Sequence, residues 1–451
     1  MKKIIVILFF IFSLNSVNGE VTIKEDTISF TAYDYEECLY PSTPYEPSYP
    51  YERLNYKSIN WGKKITKTFK LLILENEFLK LTILPEIGGR IYEAIYKPTG
   101  INMFFKNDVI KPAILYGGGT GYMFVIGGLK YGFPTCAHSP NNLTPWKYKI
   151  IKNKDKSISV LTYDTDLETD MRIYVKVTLH PQTSLIDLNT KLENPTIHKR
   201  KYYYWICAAL EPNDNVEFIF PTDRMILHGA EWGPSARTVI SWPIFNGVDY
   251  SKFKNWGPQQ GLFPWKNKNK FVGSYDHGKN QGIVRIYPSD KVPGTKLWCF
   301  ARNYHSNNYT DNYTIYYEIF GGNTETQDDY TFMDPNSSLE WTEYWYPIKD
   351  TNGFVYANKD LALNIKKSEN SGINLWLAST KIFARLKLII YKDDNEIHNQ
   401  DISITPDKPI KLSISPAISF SNDSKIKIIC LIDKNKQVLE FETTWGKLGN
   451  D

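Results

Sequence analysis

Hydrophobic positions recur every second residue along this chain, in one segment after another. Phe69, Leu71 and Ile73 fall on one face, and Leu79, Leu81 and Ile83 resume the period after a polar turn at Glu75-Asn76-Glu77. Successive side chains of an extended backbone point to opposite faces, so this alternation predicts half-buried strands. The chain then meets a corner, Pro85-Glu86-Ile87-Gly88-Gly89-Arg90, that leads into a third strand from Ile91 to Tyr96. Gly88-Gly89 turns the backbone through conformations closed to other residues and delivers Arg90 at a strand start. Met171, Ile173, Val175, Val177 and Leu179 repeat the pattern, as do Ile186, Leu188, Thr190 and Leu192 beyond the turn His180–Ser184. Convincing long helices are absent. The pattern predicts an all-β protein whose main body, residues 66–352, is a large sandwich.

The flanks read differently. Lys2-Lys3, the apolar run Ile4 to Phe12 and the polar segment up to Gly19 form a signal peptide over residues 1–19. The apolar run is too short to span a bilayer, so a mature chain outside the cytoplasm, secreted or periplasmic, is expected. Residues 20–65 hold strand sequence from Val21 to Tyr33 and then a Pro/Tyr alternation from Tyr40 to Tyr51. Repeated proline favours an extended path unable to enter a sheet centre, which suits a strap on the main body. After a boundary at Asn352-Gly353, residues 365–451 carry strands Ile373 to Leu377, Ala384 to Tyr391, Lys425 to Ile432 and Val438 to Trp445. Their size and spacing suit a small immunoglobulin-like sandwich.

Charge excludes some partners. With 53 basic and 49 acidic residues interspersed, a net +4 gives no electrostatic case for nucleic acid or an anionic membrane. Cys38, Cys136, Cys207, Cys299 and Cys430 are far apart and odd in number, which suits buried thiols better than a disulfide scaffold. No histidine or cysteine spacing suggests a metal, and no glycine loop suggests a phosphate-bearing cofactor. Aromatic residues reach 15% of the chain, and flat rings either build strands or cover the C–H faces of a sugar.

Several motifs choose between those uses. The hairpin and Gly-Gly-Arg corner, Val109-Ile110-Lys111-Pro112, and Gly127 to Pro134 with His138 resemble the galactose-mutarotase-like superfamily, in a branch catalogued as a domain of unknown function. Pro293 to Trp298, Tyr317 to Gly322, Glu340 to Ile348, Gly353-Phe354 and Ala357-Asn358 extend the resemblance over most of residues 66–365. It implies a β-supersandwich whose concave sheet face binds a saccharide or glycan.

Glu318 is the first candidate for chemistry. It lies on an expected strand, Tyr313 to Phe320, and shares a face with Tyr316 and Phe320. A carboxylate between rings loses hydration, so its proton affinity rises towards that of a useful acid or base. Histidine titrates near neutral pH, which makes His138 and then His277 the candidate counterparts. Arg90 offers a planar fork for a hydroxyl or carboxylate, or an ion pair that pins the corner. Trp298 and Tyr316 are candidate groove walls, and Glu343 sits between Trp341 and Trp345 as a candidate sugar platform. Two segments depart from the family pattern. Lys130 stands where relatives usually have an acidic residue, and Ile206 and Cys207 where they tend to carry asparagine. Lys130 would suit an acidic sugar.

Two readings of function follow. One is a secreted enzyme, glycoside hydrolase-like or aldose epimerase-like, acting at or near the anomeric carbon by general acid/base catalysis. The alternative is a non-catalytic carbohydrate-binding protein. A surface or assembly protein docking through the C-terminal sandwich is a third, more distant reading. Two carboxylates across the groove would favour hydrolysis.

Overall fold

The computed structural model describes residues 19–114, 120–300, 307–368, 372–415, 419–433 and 436–451. All but the last residue of the expected signal peptide lie outside them. Strands dominate, and among the described residues there is no α-helix, only short 3-10 turns. The large β-supersandwich expected from the sequence is present, followed by a smaller sandwich.

The supersandwich has one sheet of thirteen strands and one of eight. The strands Lys64–Glu75, Leu79–Leu84 and Arg90–Tyr96 are consecutive neighbours in the larger sheet. Leu72 faces Ile83 and Leu74 faces Leu81, all buried. Asn76 closes the hairpin. Its Oδ1 accepts the Phe78 and Leu79 N–H groups at 2.9 and 2.8 Å, and its Nδ2 donates to the His180 and Thr183 carbonyls. The lead-in is not separate from this sheet, because Thr22–Tyr33 pairs with Lys64–Glu75 along its whole length. The Pro/Tyr segment lies on the main body, where the Tyr51 hydroxyl donates to Asp166 Oδ1 at 3.0 Å.

Gly88 and Gly89 have φ of +66° and +62°, the left-handed region the corner demands. A Cβ on Gly88 would sit 2.8 Å from the Asn142 carbonyl oxygen, and one on Gly89 2.6 Å from the Trp146 ring. The corner is therefore pressed against the loop that follows Gly132.

Between the sheets lies one continuous apolar core with a charged pair inside it. Arg285 Nε meets Glu343 Oε2 at 2.5 Å, and both side chains are fully buried. Glu343 is thus part of the interior, as are its neighbours Trp341 and Trp345, and the platform expected there is corrected. Alternation placed the three residues correctly on one strand, Ser337–Lys349, but not the direction in which the glutamate faces. The Arg285 guanidinium crosses towards the larger sheet and rests on Gly321, where a Cβ would lie 1.9 Å from Nη2.

The C-terminal sandwich is built of two four-stranded sheets around its own core. It contains the four expected strands and adds Asn395–Ile404 and Ile410–Ile414. Tyr356–Ala357 and Leu361–Lys367 also belong to it, so strands of this unit begin before residue 365. The five cysteines are free thiols.

Candidate functional site

Four neighbouring strands of the larger sheet place one row of side chains in register: Lys130 opposite Cys207, Cys207 opposite Phe320, and Phe320 opposite Lys296. Two residues along, Glu318 faces Trp298 directly. The period of two puts both rows on the same face of the sheet. Lys130 and Cys207, both singled out from the sequence, are therefore cross-strand partners, and both act on Glu318.

Glu318, Lys296, Phe320 and Trp298 of these rows line a cavity of about 360 Å³ together with His138 and His228, and Tyr316 is among its ring walls. Trp298 meets Phe300 edge-on at 4.4 Å between centroids, and Tyr316 stacks on Phe105 at 5.2 Å. A smaller hollow that shares Tyr316 and Glu318 with it is bounded also by Arg90, Lys130 and Cys207. Glu318, Tyr316 and Phe320 share the face the sequence predicts, although the strand begins at Tyr317 rather than Tyr313, whose φ of +57° breaks the extended run.

Charge in this site is buried. Burial pushes the Glu318 carboxyl up, opposed by the Lys130 and Lys296 ammoniums and by the Cys207 thiol. That thiol donates to Glu318 Oε1 at 2.8 Å. Burial pushes Lys296 down to about 8, against the pull of Glu318. Its ammonium donates to Gln327 Oε1 at 2.6 Å and lies 4.9 Å from the Phe320 ring centroid. Burial pushes His228 down to about 3.

His138 is brought over Lys130 by the loop that folds back on Gly132, where a Cβ would lie 2.7 Å from Ala137 Cα. Its Nδ1 is 2.8 Å from Lys130 Nζ. Burial, together with the Lys130, Lys296 and Arg90 charges, holds this imidazole well below the usual histidine range. An ammonium can only donate, so Nδ1 accepts and the neutral ring carries its proton on Nε2. His138 therefore offers a hydrogen-bond donor rather than a base.

Arg90 is held by backbone. Its Nε donates to the Ile87 carbonyl at 2.9 Å, Nη2 to Asn142 at 3.3 Å and Nη1 to Gly127 at 3.5 Å. It pins the corner, as one of the two expectations had it, through carbonyls rather than an ion pair. His277 lies elsewhere: it follows the strand Phe271–Asp276 of the smaller sheet and pairs through Nε2 with Glu217 at 2.7 Å. It does not line the cavity with Glu318, and Asp276 beside it caps Gly278 and Lys279 instead.

Lys296, His228 and Gln327 were not singled out by sequence reasoning. For Lys296 a signal existed, since it shares a strand face with Trp298 two residues on. His228 and Gln327 arrive from a strand end and a loop with no periodic cue. The second lining carboxylate, Asp328, is engaged with Arg237 at 3.5 Å. Among the described residues no cluster of three or more His, Cys, Asp or Glu suits a metal ion.

Comparison with known proteins fits this architecture. A TPR-domain containing protein from Parabacteroides distasonis superposes with a TM-score of 0.66 at 22% identity, over 75% of this chain. The chain spans 57% of that protein's length. Galactose mutarotase-like proteins from Clostridium acetobutylicum and Lactobacillus casei align at 11% and 9% identity with TM-scores of 0.41 and 0.43. Those alignments cover 62% and 61% of this chain, and 96% and 99% of theirs. Residues 356–440 match the second domain of YphG-like proteins. Residues 44–348, which contain the cavity and its walls, match the family described as Domain of unknown function (DUF5107), and the chain belongs to that family.

Proposed function

We propose that this chain is a secreted carbohydrate-active enzyme that moves protons at the anomeric centre of a sugar. The observation that carries the reading is that Glu318 and Lys296 line one ring-walled cavity while burial drives their proton affinities towards each other. Titratable groups displaced in this way towards working pH are the mark of acid/base sites. In the ring-opening direction the Glu318 carboxylate takes the proton of the anomeric hydroxyl and the Lys296 ammonium gives one to the ring oxygen. The bond between the anomeric carbon and the ring oxygen breaks as the carbonyl forms, and closure on the other face returns both protons. His138 Nε2–H and the rings of Trp298 and Tyr316 orient the sugar. Glu318 is the one buried carboxylate lining the cavity, Asp328 being 43% exposed at its rim, which favours aldose epimerase-like chemistry over hydrolysis by a carboxylate pair.

Anomeric proton NMR on the purified chain tests this. Wild type is expected to speed anomer exchange of a bound sugar, and Glu318→Gln to abolish exchange while binding persists. Binding without exchange in wild type would instead favour the carbohydrate-binding module. New reducing ends would establish a hydrolase.

A further inference from the structure

The cavity and the adjoining hollow gather three buried cations around one buried carboxylate, Glu318. Arg90, Lys130 and Lys296 are 1%, 9% and 4% exposed. Among the described residues none of the three has a carboxylate at ion-pair distance. Arg90 donates to backbone carbonyls, Lys130 to the His138 ring and Lys296 to the Gln327 amide. Of the two lining carboxylates, Asp328 is part-exposed and shared between Arg237 and the field of Lys296, and the buried Glu318 faces both Lys130 and Lys296. Buried charges are ordinarily paired, because an uncompensated one is costly to desolvate. Gln327 adds a donor, since its Nε2 is buried at the cavity wall beside Tyr203.

We infer that the sugar is a hexuronic acid, whose carboxylate completes this charge set from within the cavity. The inference rests on the reading of the cavity as a sugar site, and sugar geometry supports it. In a hexuronate the carboxylate is borne by the carbon next to the ring oxygen. An ammonium placed to protonate that oxygen, as Lys296 is, therefore stands beside the carboxylate as well. Lys130, in the adjoining hollow next to Glu318 and His138, adds a second charge nearby, and the Gln327 amide on the wall donates to a carboxylate oxygen. A neutral hexose, with a hydroxymethyl group there, leaves the charge excess unanswered.

The test is calorimetric titration of the full chain with matched pairs, galacturonate against galactose and glucuronate against glucose, with glucose 6-sulfate and acetate alongside. The uronate should bind at least about tenfold more tightly than its neutral twin, as a charge-assisted contact warrants. Added salt should shrink that advantage, and Lys130→Met should remove most of it. The salt dependence of wild type decides the matter if the variant does not fold. Equal or tighter binding of the neutral twin overturns the inference and leaves the sugar site standing. Preference for the 6-sulfate overturns the uronate assignment in favour of a sulfated sugar. If acetate binds in a manner that requires Lys130 while no sugar binds, the anion seat stands and the sugar reading falls. Silence with every ligand overturns both.

Discussion

The Cys207 thiol donates to Glu318 Oε1 at 2.8 Å from the neighbouring strand, diagonal to it in the register. A donor to the carboxylate favours the charged form, so this contact opposes the burial that raises Glu318. Cys207→Ala should raise the Glu318 proton affinity further and move the acidic limb of the rate profile to higher pH. Cys207→Ser keeps a donor and should hold the limb near its wild-type position. A pH profile of anomer exchange for the three proteins distinguishes them, and an unmoved limb in Cys207→Ala would detach Glu318 from that limb.

Under the proposed chemistry Lys296 sets the alkaline side. Its ammonium, with burial pushing it down to about 8, is the competent acid below that pH and a neutral amine above it. Exchange should decline as pH rises through about 8. Lys296→Met should lower kcat by about 10²–10⁴, the usual loss on removing a positioned acid. Rates measured from pH 6 to about 10 check both statements.

The interior pair Arg285–Glu343 is predicted to matter for folding rather than chemistry. Glu343→Gln strands a buried guanidinium, a change that typically costs about 3–5 kcal/mol. Gly321→Ala should also destabilise, because its Cβ would occupy the space of Arg285 Nη2 at 1.9 Å. Replacing both ions with apolar residues of similar volume should recover much of the loss. Urea midpoints of the variants test all three expectations.

Acid should unfold the chain partly through two histidines. The folded-state affinities of His138 and His228 are depressed by burial, so below the unfolded histidine value of about 6.5 the unfolded chain binds the additional protons. Stability from these groups is present above about 6.5 and is lost as pH falls, by up to about 1.4 kcal/mol per pH unit for each. For His228 the loss continues down to about 3. Urea unfolding between pH 7 and about 4 should show this slope, reduced by one proton in His228→Asn.

Local pattern carried much of this molecule. The hairpin ending at Leu84, the Gly88-Gly89 corner and the grouping of Tyr316, Glu318 and Phe320 follow from alternation and from backbone freedom, which neighbouring residues determine. What pattern did not reveal depends on partners distant in sequence. Glu343 looked like part of a platform because its partner Arg285 lies 58 residues away on another strand. His277 looked like Glu318's counterpart because residue type alone cannot say which sheet a histidine joins. Lys296 passed unnoticed because a lysine on a strand ordinarily faces water, and here Gly261, Phe320 and Gln327, all distant in sequence, bury it.

The corner that Arg90 pins also braces the loop bearing His138, since Gly88 and Arg90 both press on the Asn142 backbone. A saturation survey of substitutions scored by activity would therefore mark Gly88, Gly89 and Arg90 as sharply as the residues that line the cavity. Such a map, read without coordinates, would enlarge the apparent reaction centre to include a piece of scaffolding.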